Sequence, residues 1–376
     1  MTRRTAYDPV ILLVLLVLVG FGLVMAFSAS GMVSLDRYGV STRIFQRQLV
    51  SVGIGLVVFW IAAHWDYRRY ATPAFIYPAL AATVILLVLP LVLPTGQDVR
   101  RWIPVGPTRF QPSELAKLGA VVFAAYYLTR YRSSLRSLAV LAPLLGIVGL
   151  VLALIVVEPD LGTACAIALT VGALLFLAGV RLIYLIGLAG LSIPVVLALI
   201  LSASYRKDRI LAFLNPDVDP SGIGYQIRQS LIAVGSGGWT GLGLTQSKQK
   251  LHFLPESHTD FVFAVVGEEL GLLGSLVMVA LFVLLFWRGV RIAFRADTDF
   301  GSLLAMGIVC MVVLQGMFNM CVVVSLLPTK GIPLPFVSVG GSSMLAMMAG
   351  MGILLNISRR CRTDREEAVS QSRGFQ

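Results

Sequence analysis

Residues 203–260, ASYRKDRILAFLNPDVDPSGIGYQIRQSLIAVGSGGWTGLGLTQSKQKLHFLPESHTD, form a polar stretch between long apolar runs. The stretch holds six basic residues (Arg206, Lys207, Arg209, Arg228, Lys248 and Lys250) and glycines at 235, 237, 238, 241 and 243. It ends on His258-Thr259-Asp260, at the mouth of the next apolar run. Basic groups, glycines and a terminal carboxylate suit anion binding beside acid–base chemistry.

Outside this stretch the chain reads as membrane-spanning helix. With 57% hydrophobic and 13% charged residues and a mean hydropathy of +0.86, its 376 residues cannot supply a water-facing shell. The net charge of +11 lies in short clusters between apolar runs. Lipid headgroups and topology account for such clusters, which argues against nucleic acid as a partner. Cys165, Cys310 and Cys321 fall inside apolar runs and Cys361 in the polar tail, a pattern of neither disulfides nor a metal knuckle. The first apolar run, behind Arg3 and Arg4, is longer than the roughly 7 to 15 residues of a signal-peptide core and reads as a span.

Ten runs reach the length needed to cross the hydrocarbon core: 9–29, 46–64, 73–93, 113–130, 138–157, 163–180, 182–202, 260–287, 301–326 and 340–357. Pro90 and Pro194 lie inside two of them and predict kinks. With the N-terminus inside, sixteen arginines fall on the cytoplasmic side against seven Lys and Arg in the short outer loops. The expected fold is therefore an all-α polytopic membrane protein with ten transmembrane helices and both termini cytoplasmic. Residues 203–259 form a large extracytoplasmic loop between spans seven and eight, and residues 358–376 a short disordered cytoplasmic tail. The whole chain, 1–376, reads as one membrane domain.

Several groups can carry chemistry. Arg100, Arg101 and Arg109 share one outer loop, against the usual charge bias, which favours a common anionic ligand over separate headgroup contacts. Ser113 is a candidate N-cap for the fourth span, and Glu114 and Lys117, three residues apart, share one helical face. Charges in a span face the bundle interior, so this pair either serves a site or holds helices together. In Glu158-Pro159-Asp160-Leu161-Gly162-Thr163, a tight turn, the better reading of Asp160 or Thr163 is capping of the next helix. Residues 206–214 and 225–234 pattern as two short amphipathic helices, and the glycines after them permit close backbone approach to a ligand. Asp260 is the sharpest candidate for a general base; the competing reading is a helix cap. His252 and His258 lack zinc-ligand spacing.

The chain resembles the SEDS family of bacterial cell-shape and division proteins, the FtsW, RodA and SpoVE group. The resemblance runs from about residue 9 to residue 357 and rests on separated motifs. These include Arg101-Trp102-Ile103, Phe110-Gln111-Pro112-Ser113-Glu114-Leu115-Ala116-Lys117, Glu158 to Thr163, Gly224-Tyr225-Gln226 and Gly237 to Gly243. His258-Thr259-Asp260-Phe261, Gly267 to Gly271 and Pro333 to Ser343 complete the set. Gln249-Lys250-Leu251, Leu254 to Asp260 and Leu327 to Gly331 look more like the division branch than the elongation branch. Val339 stands where the family usually has tyrosine.

The resemblance implies a peptidoglycan glycosyltransferase of the bacterial inner membrane that polymerises lipid II into nascent glycan at the division septum. Its implied partner is a class B penicillin-binding protein of the FtsI type, among other divisome proteins. The catalytic aspartate falls on Asp260. Arg101, Arg109, Glu114, Lys117, Gln226, Lys250 and His258 are the expected substrate contacts, with a divalent cation, magnesium or manganese, as a further candidate. The alternatives are a lipid II flippase, a RodA-like elongation polymerase and a scaffold for the penicillin-binding protein. The clustering of Glu114, Lys117 and Asp260 toward the outer side favours the polymerase over a transport path.

Overall fold

The structure is a computed structural model that describes residues 7–93, 100–105, 108–216 and 222–361. Arg3, Arg4 and most of the expected tail, from residue 362 onward, lie outside the described residues. Twelve α-helices are present among those residues: α1 (Pro9–Tyr38), α2 (Arg43–His64), α3 (Pro73–Val92), α4 (Pro112–Arg130), α5 (Leu138–Val157), α6 (Leu161–Leu177), α7 (Leu182–Leu201), α8 (Ser204–Leu214), α9 (Ile223–Ser236), α10 (Val262–Arg295), α11 (Asp299–Val323) and α12 (Gly341–Ser358). Eight of them (α1, α2, α3, α5, α7, α10, α11 and α12) are long and apolar enough to cross a membrane. Helix α6 is apolar but shorter, and α4 carries Glu114 and Lys117. Among the described residues the one departure from all-helix is a hairpin of β1 (Ile103–Val105) and β2 (Thr108–Phe110), antiparallel, with Ile103 opposite Phe110.

Burial sorts the helices. Helices α11 and α12 are enclosed along most of their length, whereas α7 buries no residue and presents apolar side chains all round. Small residues bring backbones together where the contact is closest. A Cβ on Gly352 of α12 would stand 2.5 Å from the Phe59 carbonyl oxygen of α2, so only glycine fits that crossing. At one end of the bundle Asp8 caps α1 by accepting from the Val10 and Ile11 amides at 3.0 and 3.2 Å, and its other oxygen meets Arg288 of α10 at 2.7 Å. The Ser358 hydroxyl of α12 accepts from the Asp8 amide at 3.2 Å, so residues 8 and 358 lie at the same end.

One local expectation changes, and one break appears that the prolines did not mark. Helix α4 begins at Pro112 after Gln111, not after Ser113, because proline at the first helical position already has the helical φ and lacks only a hydrogen that would go unused. Pro90 and Pro194 sit inside helices α3 and α7, but the sharp break falls at Gly271 of α10 (φ 66°, ψ −162°). There the Glu268 and Glu269 carbonyls accept from the Leu242 and Gly243 amides at 3.0 Å. The Leu272 and Leu273 amides in turn donate to the Gly238 and Trp239 carbonyls at 2.9 and 3.1 Å. The glycine-rich loop thus closes the hydrogen bonds that the break opens. A Cβ on Gly237 or Gly241 would come within 1.9 or 2.1 Å of an α10 carbonyl oxygen, so these two glycines serve close packing against α10.

Candidate active site

Asp260 lies in a turn ahead of α10, whose N-cap is Phe261 with no side-chain cap bond, so the carboxylate does not cap the helix. The turn is held from both sides. The Thr259 and Phe261 amides donate to the Glu256 carbonyl at 3.1 and 3.2 Å, and the Val339 amide donates to the His258 carbonyl at 3.1 Å. From α11, the Asn319 side-chain amide donates to the Asp260 carbonyl at 2.7 Å and to the Ile332 carbonyl at 2.8 Å. The carboxylate itself rests against Gly331, where a Cβ would approach Oδ2 to 2.9 Å. Val339, the departure from the family's tyrosine, contributes its backbone to this junction, which needs no hydroxyl.

Gly331 forms part of the wall of a cavity of about 250 Å³ between α6, α7, α8 and the loop after α11. Four cationic side chains line it, Arg101, Arg206, Arg209 and Lys330, with Asp160 as the acidic counterpart. Burial holds the Lys330 ammonium below its usual value, with Arg209 and Arg206 adding to the effect. Burial and nearby Arg101 likewise hold down Arg209. Burial pushes the Asp260 carboxyl up to about 7; Glu256 and Asp160 push the same way, while Arg209 and Arg101 oppose them. The result is a basic chamber beside a carboxylate able to take up a proton near neutrality.

The expected contact residues separate into groups. Arg101 lines the chamber, its guanidinium donating to the Glu158 carbonyl at 2.8 Å and to the Pro159 carbonyl. Arg100 and Arg109 are exposed and lie outside the lining, so the three arginines of that loop do not converge. Asp160 caps α6 through the Thr163 amide at 3.1 Å and hydroxyl at 2.8 Å, as its turn suggests. Glu114 and Lys117 pair at 2.8 Å and are buried, and Lys117 Nζ also donates to Gln315 Oε1 at 2.5 Å. Gln315 Nε2 donates to the Pro333 carbonyl at 2.9 Å, so the pair joins the loop that faces Asp260. Gln226 is half-buried on α9. His258 is buried beside a second cavity of about 290 Å³ that Asp36, Arg37, Lys250 and Glu256 also line. Lys250 is occupied: its ammonium meets Glu269 Oε1 at 2.7 Å and Ser28 Oγ at 2.9 Å.

Arg206, Arg209 and Lys330 reach the chamber although their sequence positions mark them only as loop charges. Gln315 and Asn319 carried a usable signal, two amide side chains four residues apart in an apolar helix, hence on one face. Among the described residues, no group of three or more His, Cys, Asp or Glu side chains comes together to hold a metal.

Glu158, below Arg101, is fully buried, with both carboxyl oxygens lacking a hydrogen-bond partner, and burial beside Asp160 pushes it up to about 8. The folded protein therefore keeps a proton that the unfolded chain releases in the ordinary carboxylate range. Stability from this group is complete below that range and is lost as pH rises toward about 8. Glu158→Gln, neutral at every pH, is expected to flatten that decline. Melting temperatures of both proteins across this range check it, and parallel curves would refute it.

The comparisons agree with this architecture. Residues 9–363 match the FTSW_RODA_SPOVE family model, described as cell cycle protein. A probable peptidoglycan glycosyltransferase FtsW of Trichlorobacter lovleyi is 40% identical over 363 residues, covering 95% of this chain and 94% of the relative. Stage V sporulation protein E of Bacillus subtilis is also 40% identical, covering 96% and 99%. Among solved structures, a chain of a peptidoglycan synthase complex that coordinates polymerization and crosslinking superposes with a TM-score of 0.76 at 28% identity, covering 96% and 99%. The rod shape determining protein RodA of Thermus thermophilus gives 0.70 at 28%, covering 96% and 100%. With a family model matched over residues 9–363 and near-complete coverage in every comparison, the chain belongs to the FtsW/RodA/SpoVE family of cell cycle proteins.

Proposed function

We propose that this protein is a peptidoglycan glycosyltransferase that polymerises lipid II at the outer face of the bacterial cytoplasmic membrane, in the service of septal wall synthesis. The observation that carries the reading is the convergence of Arg101, Arg206, Arg209 and Lys330 on one chamber beside Asp260. We read α1–α7 and α10–α12 as ten crossings, and the arginine distribution supports a chamber on the outer side with both termini in the cytoplasm. The 40% identity to chains named FtsW and stage V sporulation protein E, against 28% to RodA, supports the division branch. The peptidoglycan synthase complex supports a crosslinking class B penicillin-binding protein as partner.

The chemistry follows from the residues. The 4-hydroxyl of an acceptor sugar attacks the anomeric carbon of the donor. The new C–O bond forms as the bond to the lipid pyrophosphate breaks, and the hydroxyl proton passes to Asp260. The pyrophosphate leaves with the bonding electrons into positive charge already in place, so the site need not reorganise as charge develops. One carboxylate is enough, because pyrophosphate departs without the protonation a glycosidic oxygen needs. Glu114, Lys117, Gln315 and Asn319 position the Asp260 turn and the loop facing it. The donor set suits a magnesium or manganese ion carried in on the pyrophosphate better than a resident metal centre, and no step here depends on one.

Reconstitution of the chain with its crosslinking partner and labelled lipid II tests the reading. Glycan strands are expected; scrambled lipid without strands would mark a transporter, and neither product a scaffold. In the same assay Arg209→Ala and Lys330→Ala are each expected to weaken turnover by about tenfold or more, since a hydrogen bond to a charged group contributes about 1.5–3 kcal/mol. Unchanged kcat/KM in both would remove the pyrophosphate from this chamber.

A further inference from the structure

From Gln229 to Ser247 the chain contains no Asp, Glu, Lys, Arg or His, although these residues sit in the middle of the long polar segment. Several of their large apolar side chains are nevertheless left uncovered by the protein. Trp239 is 72% exposed, and Leu242, Leu244 and the α9 residues Leu231 and Ile232 are exposed with it.

Two contacts set the level of this apolar surface, counted from the end of the bundle where Asp8 of α1 pairs with Arg288 of α10. The loop pairs with α10 at residues 268–273, roughly 22–30 Å along the helix from Arg288 at 1.5 Å per residue. Lys250 reaches Ser28 of α1, about 30 Å along that helix from Asp8. Both levels fall in the outer margin of a hydrocarbon core about 30 Å thick. Leu272, Leu273, Leu276 and Val277 are exposed on α10 from this level onward, and Met32 and Leu35 are exposed on α1 beyond Ser28.

Much of the loop backbone is tied down by hydrogen bonds. Besides the four bonds to α10, the Gly241 amide donates to the Gly237 carbonyl at 2.8 Å and the Gln246 amide to the Gly243 carbonyl at 3.1 Å. The Ser247, Lys248 and Gln249 amides are taken up by the Glu268 and Glu269 carboxylates. These bonds turn part of the loop backbone toward α10 and leave the apolar side chains as its outer surface.

We propose that residues 231–244 form a re-entrant wedge lying in the bilayer leaflet on the Asp260 side, with lipid hydrocarbon as the partner of Trp239, Leu242 and Leu244. Lys248, exposed at the exit of the loop, extends its ammonium back toward the headgroups. The wedge grips the first part of α10, so the segment that follows Asp260 is held between lipid-embedded loop and bundle.

The test uses the full-length chain in phosphatidylcholine–phosphatidylglycerol vesicles with bromine on the acyl chains. The Trp239 contribution is obtained as the difference between the parental emission and that of Trp239→Phe. It is expected to be lost in brominated vesicles and to resist aqueous iodide. Quenching by iodide and indifference to bromine would overturn the proposal. So would iodide quenching that disappears only when the crosslinking partner is added, which would give this face to a protein. A second reporter, Leu244→Trp in the Trp239→Phe chain, is expected to behave as Trp239 does, and water exposure of that reporter would count equally against the wedge.

Discussion

Asp260→Asn is expected to lower glycan-strand formation from lipid II by about 10²–10⁴-fold, the usual worth of a positioned general base, without loss of the fold. The two parts of this expectation have separate causes. Asparagine has the shape of aspartate and still fits against Gly331, while the turn is held by backbone groups and by Asn319, none of which needs the carboxylate. Only the ability to accept a proton disappears. In the parental enzyme that ability has a pH signature. Because burial and Glu256 push Asp260 up to about 7, the base is increasingly protonated below that value and ionised above it. Turnover should rise about tenfold per pH unit on the acid side and level off above about 7. A parental rate in the asparagine variant, with its melting temperature intact, would end the assignment of Asp260 as base. A flat profile through neutrality in the parental enzyme would leave the base role without its expected ionisation.

Lys250→Met is expected to be among the most destabilising single substitutions in the chain, by about 3–5 kcal/mol, because it leaves Glu269 buried without its cation. Glu269 lies at the break in α10, where Ser28, Ser247 and Lys250 all converge on it, so the loss would be felt by α1, the loop and α10 together. Lys250→Met combined with Glu269→Leu removes both charges and should recover most of the lost stability, since replacing a whole buried pair by apolar groups is commonly tolerated. Melting curves of the two single variants and the double variant give the coupling directly. A substrate-binding Lys250 predicts another pattern: an unchanged melting temperature, a raised KM and no rescue by Glu269→Leu. The pairing at 2.7 Å favours the first outcome and makes Lys250 a clamp on the loop.

Much of the site was legible along the chain, and the exceptions have common causes. Asp260 stood out because a carboxylate directly before an apolar run is rare and costly. Glu114 and Lys117 stood out for the same reason, and their pairing followed from helical spacing. The destination of Lys250 was hidden, since its partner Glu269 and second contact Ser28 belong to two different helices. Arg206, Arg209 and Lys330 were visible as charges, but which face of their segments would turn toward Asp160 and Asp260 depends on how α6, α7, α8 and the loop after α11 pack. The glycines of residues 237–243 suggested close approach to a ligand; two of them, Gly237 and Gly241, instead lie against the backbone of α10.

Sequence alone determined that this is a helical membrane protein of the FtsW/RodA/SpoVE family, because hydropathy is a local quantity summed over about 20 residues and its motifs are contiguous. It also singled out Asp260, because an ionisable group at the edge of hydrocarbon needs a reason to be there. Only the tertiary structure decided which cations share a chamber with that carboxylate, which are spent on buried partners, and where a helix breaks to admit a loop. Those outcomes depend on distances between segments far apart in the chain, where a few ångströms separate a group facing a cavity from one locked in an ion pair.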